Sequence, residues 1–442
     1  MWNWYKGLAT HWKILLSLFL AVFAGYVAGR DAAIFGVTFN QMFAFIGALF
    51  LQALKMLIVP LVFSSIIVGV AGIGNGPDIG RLGGKTLIFY LASSLLAIII
   101  GLTVVNFIEP GIVDGEPVKD KIGLQVDVSS FADKVEGRGA GDVVDVFLRM
   151  IPTNVVAAAA NGQMLGLIFF SLLFGYFMTT ISKDHALTQK HFWSGIFETM
   201  MKITDLVMRF APLGVFGLVA KVISDIDPAG EPEKFFNLIS TLGLFAFSVL
   251  LALLIHIVVT LPLVLKYVAG IPNPFRHYRA MSPALLTAFS TASSSATLPV
   301  TMDCVEKNAG VSNKTSSFVL PLGATVNMDG TALYECVAAI FIAQAYGLDL
   351  SFAQQFTIVL VALLTSIGVA GIPSASLVAI TIILAAIGLP MEAVGLIIAV
   401  DRILDMCRTS VNVFSDSCGA VVIAKLQGEE GILTDEDGVQ DK

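Results

Sequence analysis

Apolar residues run in long blocks along most of the chain, near residues 12–29, 40–73, 86–108, 146–182, 193–224 and 235–268, and each block predicts a membrane-crossing helix. The second block is too long for one perpendicular crossing and carries Lys55 and Pro60, so a tilted or kinked helix is expected. The first, Ile14 to Ala28, follows Lys6 and Lys13 as a signal peptide would, but the spans behind it predict a retained helix. One sizeable polar loop, Glu109 to Asp145, separates the third block from the fourth.

After residue 275 the pattern changes. Residues 276–308 are moderately apolar but interrupted by Ser290-Thr291-Ala292-Ser293-Ser294-Ser295 and Pro299, and residues 351–390 are interrupted by Gly368-Val369-Ala370-Gly371-Ile372-Pro373-Ser374. Neither half of either segment can span a bilayer, so each predicts a re-entrant helix–turn–helix hairpin. Irregular backbone at membrane depth is tolerated only where it lines a cavity. Two such interruptions in corresponding positions point to an inverted-repeat transporter site, although small residues also serve helix packing. Between the hairpins, Gly323, Asn327 and Gly330 weaken the helix PLGATVNMDGTALYE from Pro321 to Glu335. Local unwinding is expected there, because Asn327 and Asp329 cannot share one face of an ideal helix.

The last apolar region carries the strongest chemical signal. Asp401, Asp405, Arg408, Asn412 and Asp416 fall within a stripe of about 80° at 100° per residue, while Arg402 projects at about 100°, off it. Charged groups at membrane depth cost at least ~2.5–3.5 kcal/mol each and normally face a protein-lined cavity with partners. Counting Asp329 and Glu335, five acids in membrane segments face Arg408 as the one base on their stripe. Bound cations, a substrate ammonium or protons must make up the balance. Oxygen ligands suit Na⁺ or H⁺ rather than a soft transition metal. The residues therefore predict a cation-coupled carrier whose substrate offers an anionic group to Arg408. The alternative, that the stripe only staples helices together, leaves two of its carboxylates without a base.

Composition agrees: 56% of the 442 residues are hydrophobic and only 13% charged, against roughly a quarter charged in soluble domains. The net charge of −7 owes much to an acidic tail, residues 425–442. Nothing suggests nucleic-acid binding. Cys304, Cys336, Cys407 and Cys418 have neither disulfide nor zinc spacing. Lys6, Lys13, Arg81 and Lys85 place the N-terminus and the 74–85 loop on the cytoplasmic side of a cell membrane, and the 109–145 loop outside. The chain is not expected to be an enzyme: His11, His185, His191, His256 and His277 lie in no GxSxG or HExxH pattern, and no GxxxxGK is present. An intramembrane aspartyl protease and an ion channel stay open as alternatives.

SSSATLP at 293–299, NMDGT at 327–331, AGIP at 370–373, DxxxDxxRTxxNxxxD at 401–416 and FAPLGVFGLVA at 210–220 together resemble the dicarboxylate/amino-acid:cation symporter family. That family includes the archaeal aspartate transporters and the mammalian excitatory amino-acid transporters. The resemblance implies an all-α polytopic membrane protein of eight transmembrane helices plus two re-entrant hairpins, arranged as inverted repeats and working as an elevator. It implies a homotrimer in which residues 1–275 are mainly scaffold, with spans 3 and 6 packing on the transport domain. Residues 276–424 would be the transport core: hairpin 276–308, span 7 at 315–346, hairpin 351–390 and span 8 at 391–424. Both termini would be cytoplasmic.

Carried over by position, the resemblance gives Arg408 the substrate's side-chain carboxylate and Asp405 its amino group. Thr331, Thr409 and Asn412 would complete the pocket, closed by the hairpin tips at Ser293, Ser294, Ser295, Ile372 and Ser376. Asp416 with carbonyls of Gly323, Asn327 and Asn412 resembles one sodium site. Thr325 and Met328 with carbonyls of Ser366, Ile367 and Val369 resemble a second. Tyr90, Ser93, Ser94, Asn327 and Asp329 resemble a third. The pair Asp405 and Arg408 points to L-aspartate or L-glutamate, with C4 dicarboxylates or neutral amino acids as alternatives. Glu335 matches the glutamate of the mammalian carriers; an acid on an apolar helix is expensive to ionise, which fits proton cargo, although a packing role stays open. No organic cofactor is implied, and potassium counter-transport is left open. Two departures stand out. Many relatives keep an arginine at the position of Ala292 or of Met406, and Ser376 stands where glycine is common.

Overall fold

The computed structural model describes residues 10–29, 32–71, 77–122, 148, 150–161, 163–226, 232–366, 375–389 and 391–434. The second hairpin's tip, with Ile367, Val369 and Ile372, lies outside the described residues, as do most of the 109–145 loop and the end of the acidic tail.

The described chain is almost wholly helical. Helix α1 (Thr10–Ala28) leads through a two-residue-per-strand hairpin, β1 (Ala33–Ile34) and β2 (Val37–Thr38), into α2 (Phe39–Ala71) and α3 (Pro77–Ile108). A second small hairpin, β3 (Ile112–Val113) and β4 (Glu116–Pro117), precedes the short helices α4 (Val118–Ile122) and α5 (Val155–Ala160). Then follow α6 (Met164–Met178), α7 (Lys183–Arg209), α8 (Ala211–Ile226) and α9 (Pro232–Ile255), which passes through a π turn at His256–Thr260 into α10 (Leu261–Tyr267). Among the described residues, four helical stretches are long and apolar enough to cross a membrane: Phe39–Ala71, Leu82–Ile108, Pro232–Tyr267 and Asn313–Ala345.

Two expected spans are divided. The block at 193–224 is α7 followed by α8, bent by 56°. Pro212 sits in the first turn of α8, where its missing N–H costs nothing, and the carbonyl of Phe210 accepts from both Leu213 and Gly214. The bend lets α8 lie against α1 and α2. Gly214 is required there, since a Cβ would meet the ring of Phe50 at 2.1 Å. The block at 146–182 is likewise α5 and α6, with Asn154 capping α5 through its side chain. By contrast, α2 runs unbroken past Pro60, and the Ser64 hydroxyl donates to the Pro60 carbonyl at 2.7 Å.

The C-terminal half holds the interrupted elements. Helix α11 (Arg276–Thr291) and α12 (Ser294–Asp303) form the first hairpin and pack on each other. Its corner is two residues: Ala292 closes α11 in a left-handed conformation (φ 50°), and the Ser293 hydroxyl caps α12 by accepting from Ala296 N at 3.2 Å. Next come α13 (Asn313–Val326) and α14 (Asp329–Ala345), then α15 (Phe352–Ser366) and α16 (Ala375–Ile387), the arms of the second hairpin. A 3₁₀ turn, Met391–Leu396, leads into α17 (Ile398–Leu426). Helix α17 packs against α11, α13 and α14, and α14 packs against α3 and α9. The interrupted and polar elements thus surround one another.

The far end of α17 is tied to the start of α13. Glu429 accepts from the Ser312 hydroxyl (2.7 Å), Ser312 N (2.9 Å) and the Thr315 hydroxyl (2.5 Å). Burial opposes its charge, but these hydrogen bonds outweigh it and hold the carboxyl below the usual glutamate range. A carboxylate held down in the folded state stabilises above its unfolded value, and that contribution disappears as pH falls through the folded value. Glu429→Gln is therefore expected to lower thermal stability in detergent at neutral pH. The difference from wild type should shrink on acidification below about pH 4, which thermal unfolding at a series of pH values will check.

Candidate functional site

The helix between the hairpins unwinds where the sequence predicts. Asn327 (φ −107°, ψ 87°) and Met328 (φ −118°, ψ 62°) separate α13 from α14, leaving non-helical backbone among buried groups. The gap is stabilised from three sides. Asn327 Nδ2 donates to Asp416 Oδ1 at 2.9 Å and to the Ser415 hydroxyl at 3.1 Å. Asn412 Oδ1 accepts from the backbone of Gly330 (2.8 Å) and Thr331 (3.3 Å), while its amide donates to the Thr331 hydroxyl at 3.0 Å. The two glycines permit the approach of α17. A Cβ on Gly323 would stand 2.6 Å from Asp416 Oδ1, and one on Gly330 would stand 2.6 Å from the Arg408 carbonyl.

Asp329, at the first turn of α14, is completely buried and gathers four partners. Oδ1 accepts from the hydroxyls of Ser93 (3.2 Å) and Ser94 (2.6 Å) on α3, and Oδ2 accepts from the Ser415 hydroxyl (2.6 Å). His256 Nε2 lies 3.0 Å from Oδ2. Tyr90 adds its hydroxyl nearby, donating to the Val319 carbonyl at 2.7 Å. Tyr90, Ser93, Ser94, Asn327 and Asp329 therefore converge, as do Gly323, Asn327 and Asp416 beside them. His256 lies in no catalytic sequence pattern, and its place beside Asp329 is not foreshadowed by spacing along the chain. It is a polar residue on an apolar helix, a π turn begins with it, and its side chain is buried.

The second cluster lies along α17. Arg408, 1% exposed, donates from Nη1 to Asp401 Oδ1 at 3.0 Å, and its Nη2 is 2.8 Å from Asp405 Oδ1. Its guanidinium carbon stands 4.3 Å over the Tyr334 ring, which helps to hold the charge out of water. The stripe of Asp401, Asp405, Arg408, Asn412 and Asp416 is buried throughout its length. One part of the sequence reading is corrected: Arg408 is not the one base on it. Arg402 is also buried, at 4% exposure, and donates from Nη1 to Asp405 Oδ2 at 3.1 Å. The projection located its Cα, but a long flexible stem lets the guanidinium reach an acid three residues on. Asp401 and Asp405 thus meet two buried arginines, while Asp329 and Asp416 are held by hydroxyls, His256 and Asn327.

The remaining candidates are distributed as follows. Glu335, on α14, is fully buried; Oε2 accepts from the Thr365 hydroxyl on α15 at 2.9 Å, and Oε1 has no protein partner. The Thr409 hydroxyl donates to the Asp405 carbonyl (2.7 Å), the Ser366 hydroxyl to the Leu363 carbonyl (2.8 Å) and the half-buried Thr325 hydroxyl to the Leu322 carbonyl (3.0 Å). Met328 is buried, as are Ser293 and Ser294, whereas Ser295 is exposed on α12. Ser376, 1% exposed, leaves its hydroxyl unpartnered.

An enclosed set of acids, arginines and hydroxyls around unwound backbone suits binding of small charged solutes. The sequence comparisons agree with that character. Residues 11–426 match the model of the sodium:dicarboxylate symporter family. The proton/sodium-glutamate symport protein of Bacillus caldotenax is 36% identical over 424 residues, covering 96% of this chain and 95% of that protein. The proton/glutamate-aspartate symporter of Escherichia coli K12 is 35% identical over 417 residues, covering 94% and 92% respectively. Excitatory amino acid transporter 3 of Mus musculus is 35% identical over 470 aligned positions, covering 97% of this chain and 88% of that protein. With nearly the whole chain matched and both polar clusters in place, the chain belongs to the sodium:dicarboxylate symporter family.

Proposed function

We propose that the protein is a secondary active symporter for acidic amino acids, L-aspartate or L-glutamate, coupled to Na⁺ and to a proton. The observation that carries this reading is Arg408, sealed between Asp401 and Asp405 in a protein interior and next to unwound backbone. A guanidinium can exchange one carboxylate partner for another without losing its charge compensation. Arg408 takes the substrate's side-chain carboxylate in this reading, and Asp405 takes its amine. Thr331, Thr409 and Asn412 complete the pocket, with Ser293, Ser294, Ile372 and Ser376 at the hairpin tips. Asp416 and Asp329 with their neighbours serve two cation sites, and Thr325, Met328 and Ser366 contribute to another. The names of the relatives support the substrate and both ions.

The working architecture is eight spans plus two hairpins in a homotrimer. Residues 1–275 mainly form a scaffold, and residues 276–424 form a transport core that moves as an elevator in a cell membrane. The packing of α11, α13 and α14 each against α17 supports such a unit. The direct test is uptake of labelled aspartate and glutamate into proteoliposomes with Na⁺, H⁺ and K⁺ gradients imposed one at a time. Absence of uptake under every gradient would remove the reading.

Glu335 is assigned the proton in this scheme. Its burial on α14, with one bonded oxygen and one open, supports a group that is protonated during part of the cycle. Glu335→Gln imitates the protonated form permanently. Exchange of internal for external substrate is expected to persist, because it needs no return of the empty carrier. Net uptake should lose its pH dependence. A wild-type pH profile for net uptake in this variant would return Glu335 to a packing role.

A further inference from the structure

Four side chains on one flank of α17 form a row of alternating sign: Asp401, Arg408, Asp405 and Arg402. The successive N–O separations are 3.0, 2.8 and 3.1 Å. None of the four is more than 4% exposed. Their formal charges cancel, so the row is balanced without a substrate. The middle pair is doubly engaged: Arg408 meets two carboxylates, and Asp405 meets two guanidinium groups. Arg402 has fewer choices. The small cavity that it lines is otherwise walled by apolar side chains such as Phe50, Val215, Leu377 and Ile398, with Asp401 as the one acid among the described residues there. A buried guanidinium in that setting cannot leave its carboxylate without a large desolvation cost.

This bears on what Asp405 can offer a substrate. When Arg408 turns to a substrate carboxylate, Asp405 gives up one cation and keeps the other. An arriving ammonium then finds an acid that is already paired. A substrate without an ammonium leaves no bare carboxylate behind. We propose that Arg402 is a specificity-determining residue that competes with the substrate ammonium for Asp405. It lowers the advantage of an amino acid over a plain dicarboxylate of the same length. This inference rests on the roles given above to Arg408 and Asp405.

The test is competition against labelled L-aspartate in proteoliposomes holding the full-length protein. Unlabelled succinate and unlabelled L-aspartate are titrated separately. In the wild type, succinate is expected to compete. In Arg402→Gln, the ratio of half-inhibiting concentrations, succinate over aspartate, is expected to rise about tenfold or more, the low end of what a charge-assisted hydrogen bond contributes. Arg402→Lys keeps a cation near Asp405 and should stay closer to the wild-type ratio. A merely structural Arg402 would move both concentrations by the same factor, and that result overturns the proposal. If Arg402→Gln does not fold, the wild type still decides: succinate that fails to compete at about a hundredfold excess, roughly 2.7 kcal/mol, overturns it. A wild type that takes up no aspartate under any gradient instead removes the underlying substrate reading.

Discussion

Arg408→Ala is expected to abolish uptake of acidic amino acids. Two losses combine. The substrate's side-chain carboxylate loses a charge-assisted partner contributing about 1.5–3 kcal/mol. Asp401 and Asp405 also lose the guanidinium they share, leaving Arg402 as the nearby base. Removing one member of a buried ion pair typically destabilises by about 3–5 kcal/mol, so a fall in thermal stability should accompany the loss of transport. Arg408→Lys separates the two effects. It keeps a positive charge between the acids but lacks the planar fork that can serve two carboxylates. Stability should recover substantially, while aspartate affinity should stay reduced roughly tenfold or more. Ligand-induced thermal shifts, read with labelled uptake, check both variants. Wild-type aspartate affinity in Arg408→Ala would remove Arg408 from the substrate site.

Asp329→Asn is expected to uncouple the carrier from sodium. Ser93, Ser94, Ser415 and His256 converge on this one carboxylate from three other helical stretches. The amide keeps the shape but brings no charge and places N–H donors where an oxygen faced other donors. The Na⁺ concentration giving half-maximal binding should rise about tenfold or more. Asp416→Asn should act in the same direction, with a smaller structural disturbance, because among the described residues it is the Asn327 amide that donates to it. Substrate binding measured in Na⁺ and again in choline supplies the reference. Equal affinity in the two salts, in the wild type, would exclude sodium coupling and point to protons.

The sequence reveals the site to the extent that its signals are local. Gly323, Asn327 and Gly330 within one span disclose the break between α13 and α14, because each weakens a helix through its own backbone or side chain. The polar stripe on α17 is equally legible, since helical spacing alone puts those residues on one face. What escapes is set by reach and by distance along the chain. Arg402 lies off the stripe by its Cα and on it by its guanidinium. His256 meets Asp329 from 73 residues away, across a π turn that helical periodicity does not anticipate. The division of 193–224 hides in FAPLG, whose proline is compatible with a helix start as well as with a kink in a continuous span.

The interruption at Asn327 and Met328 also bears on how the chain is made. A nascent segment is sorted between water and lipid by its own composition, and an aspartate near the centre of a span opposes entry by about 2.5–3.5 kcal/mol. Asn313–Ala345 carries Asn327, Asp329 and Glu335, and among the described residues it is the one long apolar stretch whose core is entirely enclosed by protein. The hydroxyls of Ser93 and Ser94 already exist when it emerges from the ribosome. Ser415 and Asn412 do not: they are synthesised 86 and roughly eighty residues later. Until α17 arrives, Asp329 can already meet Ser93, Ser94 and His256, but the Asn327 amide and the Thr331 hydroxyl lack the partners that α17 brings. That order of synthesis favours keeping the segment beside the earlier helices until the last span is complete. The side chains proposed to handle the coupling ions are thus also ones whose partners are completed last in synthesis.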